Sequence, residues 1–272
     1  MTLLAEAATG RALRLEQHIR YEYSAPVARL RQRLMVVPPP VHGGQYRTDW
    51  ALTVHGATAA VRGPHLDSFG NVVLDVDAAR VPRAIEFHVT TAVERTPLTG
   101  AHTIAVDERY LRPTQLTAAD ARLRALADGA GGVDDLCRRA HGALTYDWGI
   151  TGVRTTAAEA VRGGRGVCQD FAQVMIAACR SVGVAARYVS GHLVGEGGSH
   201  AWVEALVPHP DHPGRWVVEA WDPTHDRRAG DGYVTLAVGR DYTDVAPLSG
   251  SYVAGRAVGH LEVSKRLVDL AA

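Results

Sequence analysis

The chain has 272 residues, with 29 Lys+Arg balancing 29 Asp+Glu. That length suffices for two domains with cores of their own, and 46% hydrophobic with 21% charged residues excludes wholesale disorder. The formal net charge of +0 offers no field for nucleic acid or anionic lipid, no apolar run approaches the roughly 18 residues of a membrane helix, and three cysteines are too few for a disulfide scaffold.

The opening stretch MTLLAEAATGRALRLEQ lacks the basic start and apolar run of a signal peptide, so a cytoplasmic chain is expected. Lys265 is the only lysine, and the bias to arginine is that expected of a GC-rich genome more than of a function. From Ala12 to Val106 the pattern is strand-like. Alternation runs through Leu13 to Glu16 and Ile19 to Tyr23, with further runs at Trp50 to Val54, Val72 to Val76 and Ile85 to Val93. Turn signals at Pro38-Pro39-Pro40, His42-Gly43-Gly44, Gly63-Pro64 and Asp67 to Asn71 separate them. An antiparallel β-sandwich domain over residues 1–112 is the expectation, and a second domain over residues 113–272. The scattered histidines of the first half form no chemical motif.

After Arg112-Pro113 the period becomes helical. Thr117 is the expected cap of a helix that stops at Gly129, a second helix spans Val133 to Leu144, and Thr156 to Glu159 reads as a capping box. Gly163-Gly164-Arg165-Gly166 then leads into Val167-Cys168-Gln169-Asp170-Phe171. There Phe171, Val174, Met175, Ala178 and Val182 share one buried face, and Gly183 is the stop. Cys168 thus sits in the first turn, where unpaired N–H groups and the positive end of the dipole favour a thiolate and can hold an oxyanion. A small buried apolar residue is the commoner role for a cysteine taken alone. Two strand-like runs follow, Ser199 to Leu206 and Arg215 to Asp222, joined by a proline-rich loop. A hairpin centred near Asp211 pairs positions summing to about 422, which sets His200 opposite Asp222 on one face. A nucleophile, a base and a group to orient the base would then stand together. A lone strand histidine or a turn aspartate is more often structural; the ordered set of three is what carries the reading.

Cys168-Gln169-Asp170-Phe171 with Ala186 to His192, Ser199-His200-Ala201-Trp202 and Trp221-Asp222-Pro223-Thr224 resembles the bacterial transglutaminase-like superfamily, whose site is papain-like. The tail from Gly239 to Pro247 with Ser249-Gly250, and Ile19 to Tyr23 with Phe69-Gly70-Asn71 in the first half, extend the resemblance over nearly the whole chain. It implies an α+β protein: an N-terminal β domain before a core whose nucleophile-bearing helix packs on an antiparallel sheet. Cys168 is the implied nucleophile, His200 the base and acid, and Asp222 the orienting residue. The implied activity is that of a thiol enzyme on amide bonds of peptides or proteins through an acyl-enzyme. Hydrolysis is favoured, transfer to an amine is the alternative, and a non-catalytic binding module is the rival. Tyr146 or Trp148 could donate to an oxyanion, although core packing is the commoner role for either, and Gln169 belongs near the site. Cys179 is expected in the core. No zinc spacing or calcium loop is present, so neither metal nor cofactor is expected.

Overall fold

The computed structural model describes residues 10–97 and 101–270; most of the opening stretch read for a leader, residues 1–9, lies outside them. The first half is built of β1 (Arg11–Tyr23), β2 (Val27–Leu34), β3 (Val41–His42), β4 (Gln45–His55), β5 (Ala60–Leu66), β6 (Val72–Val81), β7 (Ala84–Arg95) and β8 (Thr103–Ala105). Period-two alternation explains them. In β1, Leu13, Leu15, Gln17 and Ile19 turn inward while the residues between them face out. Asp67 makes the β5–β6 turn by accepting from the backbone N–H of Phe69 at 2.8 Å and of Asn71 at 2.9 Å. The expected turn at Gly63-Pro64 instead lies inside β5, where the register against β6 shifts between Arg62 and His65.

The helical half follows with α1 (Ala121–Ala127), α2 (Val133–Ala143), β9 (Thr145–Tyr146), α3 (Ala157–Gly163), β10 (Arg165–Gly166) and α4 (Cys168–Ser181). Asp120, not Thr117, caps α1, accepting from Leu123 N–H at 3.0 Å. Thr117 is buried and accepts from Arg180 at 2.7 Å instead. The capping box of Thr156 and Glu159 is present at α3. Then come β11 (Ala185–Leu193), β12 (His200–Pro208), β13 (Arg215–Asp222), β14 (Arg227–Arg228), β15 (Tyr233–Gly239), α5 (Tyr242–Val245), β16 (Leu248–Val253) and β17 (Gly259–Asp269).

Three larger sheets organise these elements. One runs β17-β1-β7-β4-β3, a second β16-β2-β6-β5, and the third β14-β13-β12-β11-β15 with β8 added on β13. Ile19, Phe87 and Val89 of the first share one hydrophobic cluster with Leu30, Leu74 and Val76 of the second. Residues 248–269, expected with the second half, thus pair with β1 and β2 of the first. Their strand pattern finds its hydrogen-bond partners there, so the chain returns to its starting sheets after completing the third.

The third sheet carries α4. Every residue of α4 from Gln169 to Arg180 is buried, not one face only, because α1, α2 and α3 cover the side away from β11 and β12. Val182, expected inward, is exposed beyond the helix end. The buried Arg180 guanidinium is satisfied by Thr117 and by the carbonyls of Tyr110, Ala186 and Arg240 at 2.7–2.9 Å.

Edge strand β15 is fastened to the first half by two buried amides. Gln45 donates to Thr235 O and accepts from Thr235 N–H, both at 2.8 Å. Asn71 does the same with Val238, also at 2.8 Å each. Side chains thereby replace the missing neighbour strand.

Candidate active site

Cys168 opens α4 because Gly166 precedes it. A Cβ on Gly166 would lie 2.6 Å from Asp170 Cβ. Without one, Asp170 folds back to accept from Val167 N–H at 2.8 Å, and Thr151 donates its hydroxyl to the same carboxylate at 2.6 Å. Burial raises the Asp170 carboxyl, against the pull of those two bonds. Cys168 is half-buried and lines a cleft of about 700 Å³. As first-turn residues, Cys168 and Gln169 have no intrahelical carbonyl for their N–H groups.

β12 and β13 bring the other two residues together by a different register from the expected one. Val203 pairs with Trp221 and Leu206 with Val218, a sum of 424. His200 and Asp222 are therefore diagonal neighbours, but a two-residue difference keeps both on one face. His200 Nε2 lies 2.7 Å from Asp222 Oδ2, and both side chains are buried. Burial opposes charging His200, yet hydrogen bonds to Asp222 and to Cys168 outweigh it and raise the imidazole to about 10. Burial would raise Asp222, but bonds from His200, His225 and Tyr233 hold it well below the usual carboxylate range.

Four residues that sequence reasoning did not assign to this chemistry complete the site. Tyr233 donates its hydroxyl to Asp222 Oδ2 at 2.7 Å, and His225 Nδ1 approaches the same oxygen at 2.7 Å. Thr224 N–H occupies Asp222 Oδ1 at 2.9 Å. Glu196, in the glycine-rich loop before β12, lies 3.3 Å from His200 Nδ1 and 3.3 Å from His225 Nε2. The turn Asp222-Pro223-Thr224-His225 was a usable sequence signal for His225. Tyr233 had none, since it reaches Asp222 only through the order of the sheet.

The weaker candidates separate. Tyr146 and Trp148, expected mainly as core residues, are 56% and 82% exposed and stand at the cleft. Gln169 also lines it and donates to Gly152 O at 3.1 Å. Cys137 and Cys179 are buried, which pushes each thiol up to about 12. Two groupings among the described residues could gather a cation, Glu196-His200-His225 and His18-Glu86-His88. A cation on the first would take His200 Nδ1, the nitrogen left free by Asp222.

Comparison with known proteins bears on this geometry. Residues 119–219 match the transglutaminase-like superfamily, and residues 13–94 match the bacterial transglutaminase-like N-terminal region. An uncharacterized protein of Mycobacterium leprae is 35% identical over 238 residues, spanning 76% of this chain and 81% of that protein. One of Mycobacterium tuberculosis is 40% identical over 127 residues, 43% of this chain and 40% of its own. A Cytophaga hutchinsonii crystal structure, described as that of a candidate cysteine protease, superposes with a TM-score of 0.73 at 20% identity. It covers 96% of this chain and 91% of its own.

Proposed function

The chain belongs to the transglutaminase-like superfamily, and from that premise we propose that it is a thiol enzyme acting on amide bonds of peptides or proteins through an acyl-enzyme on Cys168. Family membership supports a thiol-dependent enzyme in general; the reaction is read from the site. The observation that carries it is the buried His200–Asp222 contact of 2.7 Å beside a cysteine at a helix start.

His200 draws the proton from Cys168, giving a thiolate–imidazolium pair that Asp222 stabilises from the far side. The sulfur attacks the amide carbonyl, and the N–H groups of the first turn of α4 receive the oxyanion. His200 then protonates the leaving amine. Water attacks the thioester with His200 as base and frees the acid. Asp222 does not move the proton; Tyr233 and His225 hold it against His200.

Hydrolysis is the favoured outcome, since the cleft is lined by exposed Tyr146 and Trp148 and so is within reach of water. Transfer to an amine has one observation of its own: the Glu196 carboxylate beside His200 would attract a cationic acceptor. We assign the protein to the cytoplasm on the chemistry of its three free cysteines. Among the described residues no helix is long and apolar enough to cross a membrane.

Incubating the protein with a casein digest and dansylcadaverine separates the outcomes. New peptide termini indicate hydrolysis, and dansyl incorporation indicates transfer. Cys168→Ala should lose both; equal activity in that variant removes the reading.

A further inference from the structure

The wall of the cleft opposite α4 comes from the returning strand β17 and from β1: Ile19, Tyr21, Leu261 and Val263 line it. They are apolar or aromatic, and among them projects Lys265. This is the only lysine in the sequence. It pairs in register with Gln17, whose side chain points inward, so β17 directs the lysine stem toward the interior rather than to solvent. It is half-buried, and it makes no hydrogen bond or ion pair among the described residues. Other buried cations here are partnered: Arg187 by Glu204 at 2.6 Å, and Arg180 by a hydroxyl and carbonyls.

An unpartnered cation in an apolar wall is costly, and the cost is recovered when a counter-ion arrives. Burial without a partner pulls the Lys265 ammonium down to about 8, and its charge presses on neighbouring His192. Lys265 shares the cleft with Cys168, and the glycine-rich turn Gly197-Gly198-Ser199 lines it too. A molecule seated for attack by the cysteine therefore presents its remote end to a wall bearing one uncompensated positive charge.

We propose that Lys265 is a specificity residue that binds a carboxylate on the acyl donor, so that the substrate is an anionic peptide bearing a free carboxyl group remote from the scissile amide. This inference rests on the function proposed above. One lysine gives a point charge without the planar fork of arginine. It selects for negative charge, and the flanking residues select an apolar stem between the charge and the reacting carbonyl.

The test uses maleimides that react at Cys168 and differ only in charge. Maleimidoacetic, maleimidopropanoic and maleimidohexanoic acids are compared with their methyl esters at neutral pH, and labelling of each cysteine is followed by peptide mass spectrometry. The acid should outpace its ester at Cys168 by about tenfold at the spacer that spans the cleft, the worth of one charge-assisted contact. In Lys265→Met that preference, read as the ratio of acid to ester rate in the same variant, should fall to about one, and Lys265→Arg should retain most of it. Circular dichroism spectra and urea midpoints like those of the wild type show that the variants are folded. The inference is overturned if Lys265→Met keeps the wild-type preference at every spacer, or if the wild type has none. Failure of Cys168 to label ahead of Cys137 and Cys179 overturns the function beneath it, and the inference with it.

Discussion

Asp222 accepts from four groups, His200, His225, Tyr233 and the N–H of Thr224. A carboxylate so held stays charged while buried, and a charged Asp222 is what keeps the imidazolium of His200. Tyr233→Phe deletes one of those bonds without emptying space. It should cost about 1 kcal/mol of stability and lower the pH at which Cys168 alkylation responds to His200. A pH profile of iodoacetamide labelling superimposable on wild type would contradict that role. The same pair sets a pH signature for the fold. Because His200 is raised from 6.5 to about 10, its stabilisation is complete below about pH 6.5 and disappears as pH rises through about 10. Asp222 is depressed, so its share is present above the ordinary carboxylate range and is lost as pH falls below it. The stability difference between wild type and His200→Ala in urea should therefore shrink between about pH 7 and pH 10.5; a constant difference would contradict the coupling. Cys168, His200 and Asp222 were legible as residues because each sits at a recognisable element boundary. Tyr233 and Glu196 were not, since a sheet neighbour and a loop excursion bring them in.

Sheet edges and helix surroundings were harder to read. Alternation marked β1 and strand-like runs marked β4, β6 and β7, but the β12–β13 hairpin pairs at 424 and not 422, because loop geometry, not side-chain pattern, sets register. The pattern in α4 showed one apolar stripe and could not show that α1, α2 and α3 bury the remaining sides. The amides of Gln45 and Asn71 were invisible as clamps, since their partners lie 190 and 167 positions away. Asn71→Ala leaves Val238 with a buried N–H and C=O unpaired, so a loss of about 1–3 kcal/mol is expected. Chemical denaturation measures the loss, and hydrogen exchange should quicken at Val238 before it does in β11. Wild-type protection of that amide would show that β15 needs no clamp.

At the scale of the whole molecule, the return of β16 and β17 to the first two sheets makes the N-terminal half part of the cleft. The wall facing Cys168 is assembled from both ends of the chain. Val263→Trp, an exposed wall position, should fill space in the cleft and leave the fold intact. It should slow Cys168 labelling by N-phenylmaleimide severalfold while sparing iodoacetamide; equal slowing of both would place Val263 off the route to the cysteine. An acyl group carried on Cys168, with His200 as its proton carrier, can be caught with p-nitrophenyl acetate and mass spectrometry. A burst of nitrophenol should match the protein concentration and leave one acetyl group on Cys168, absent in Cys168→Ala and slow to form in His200→Ala. Acetylation elsewhere, or an undiminished burst from Cys168→Ala, would contradict it.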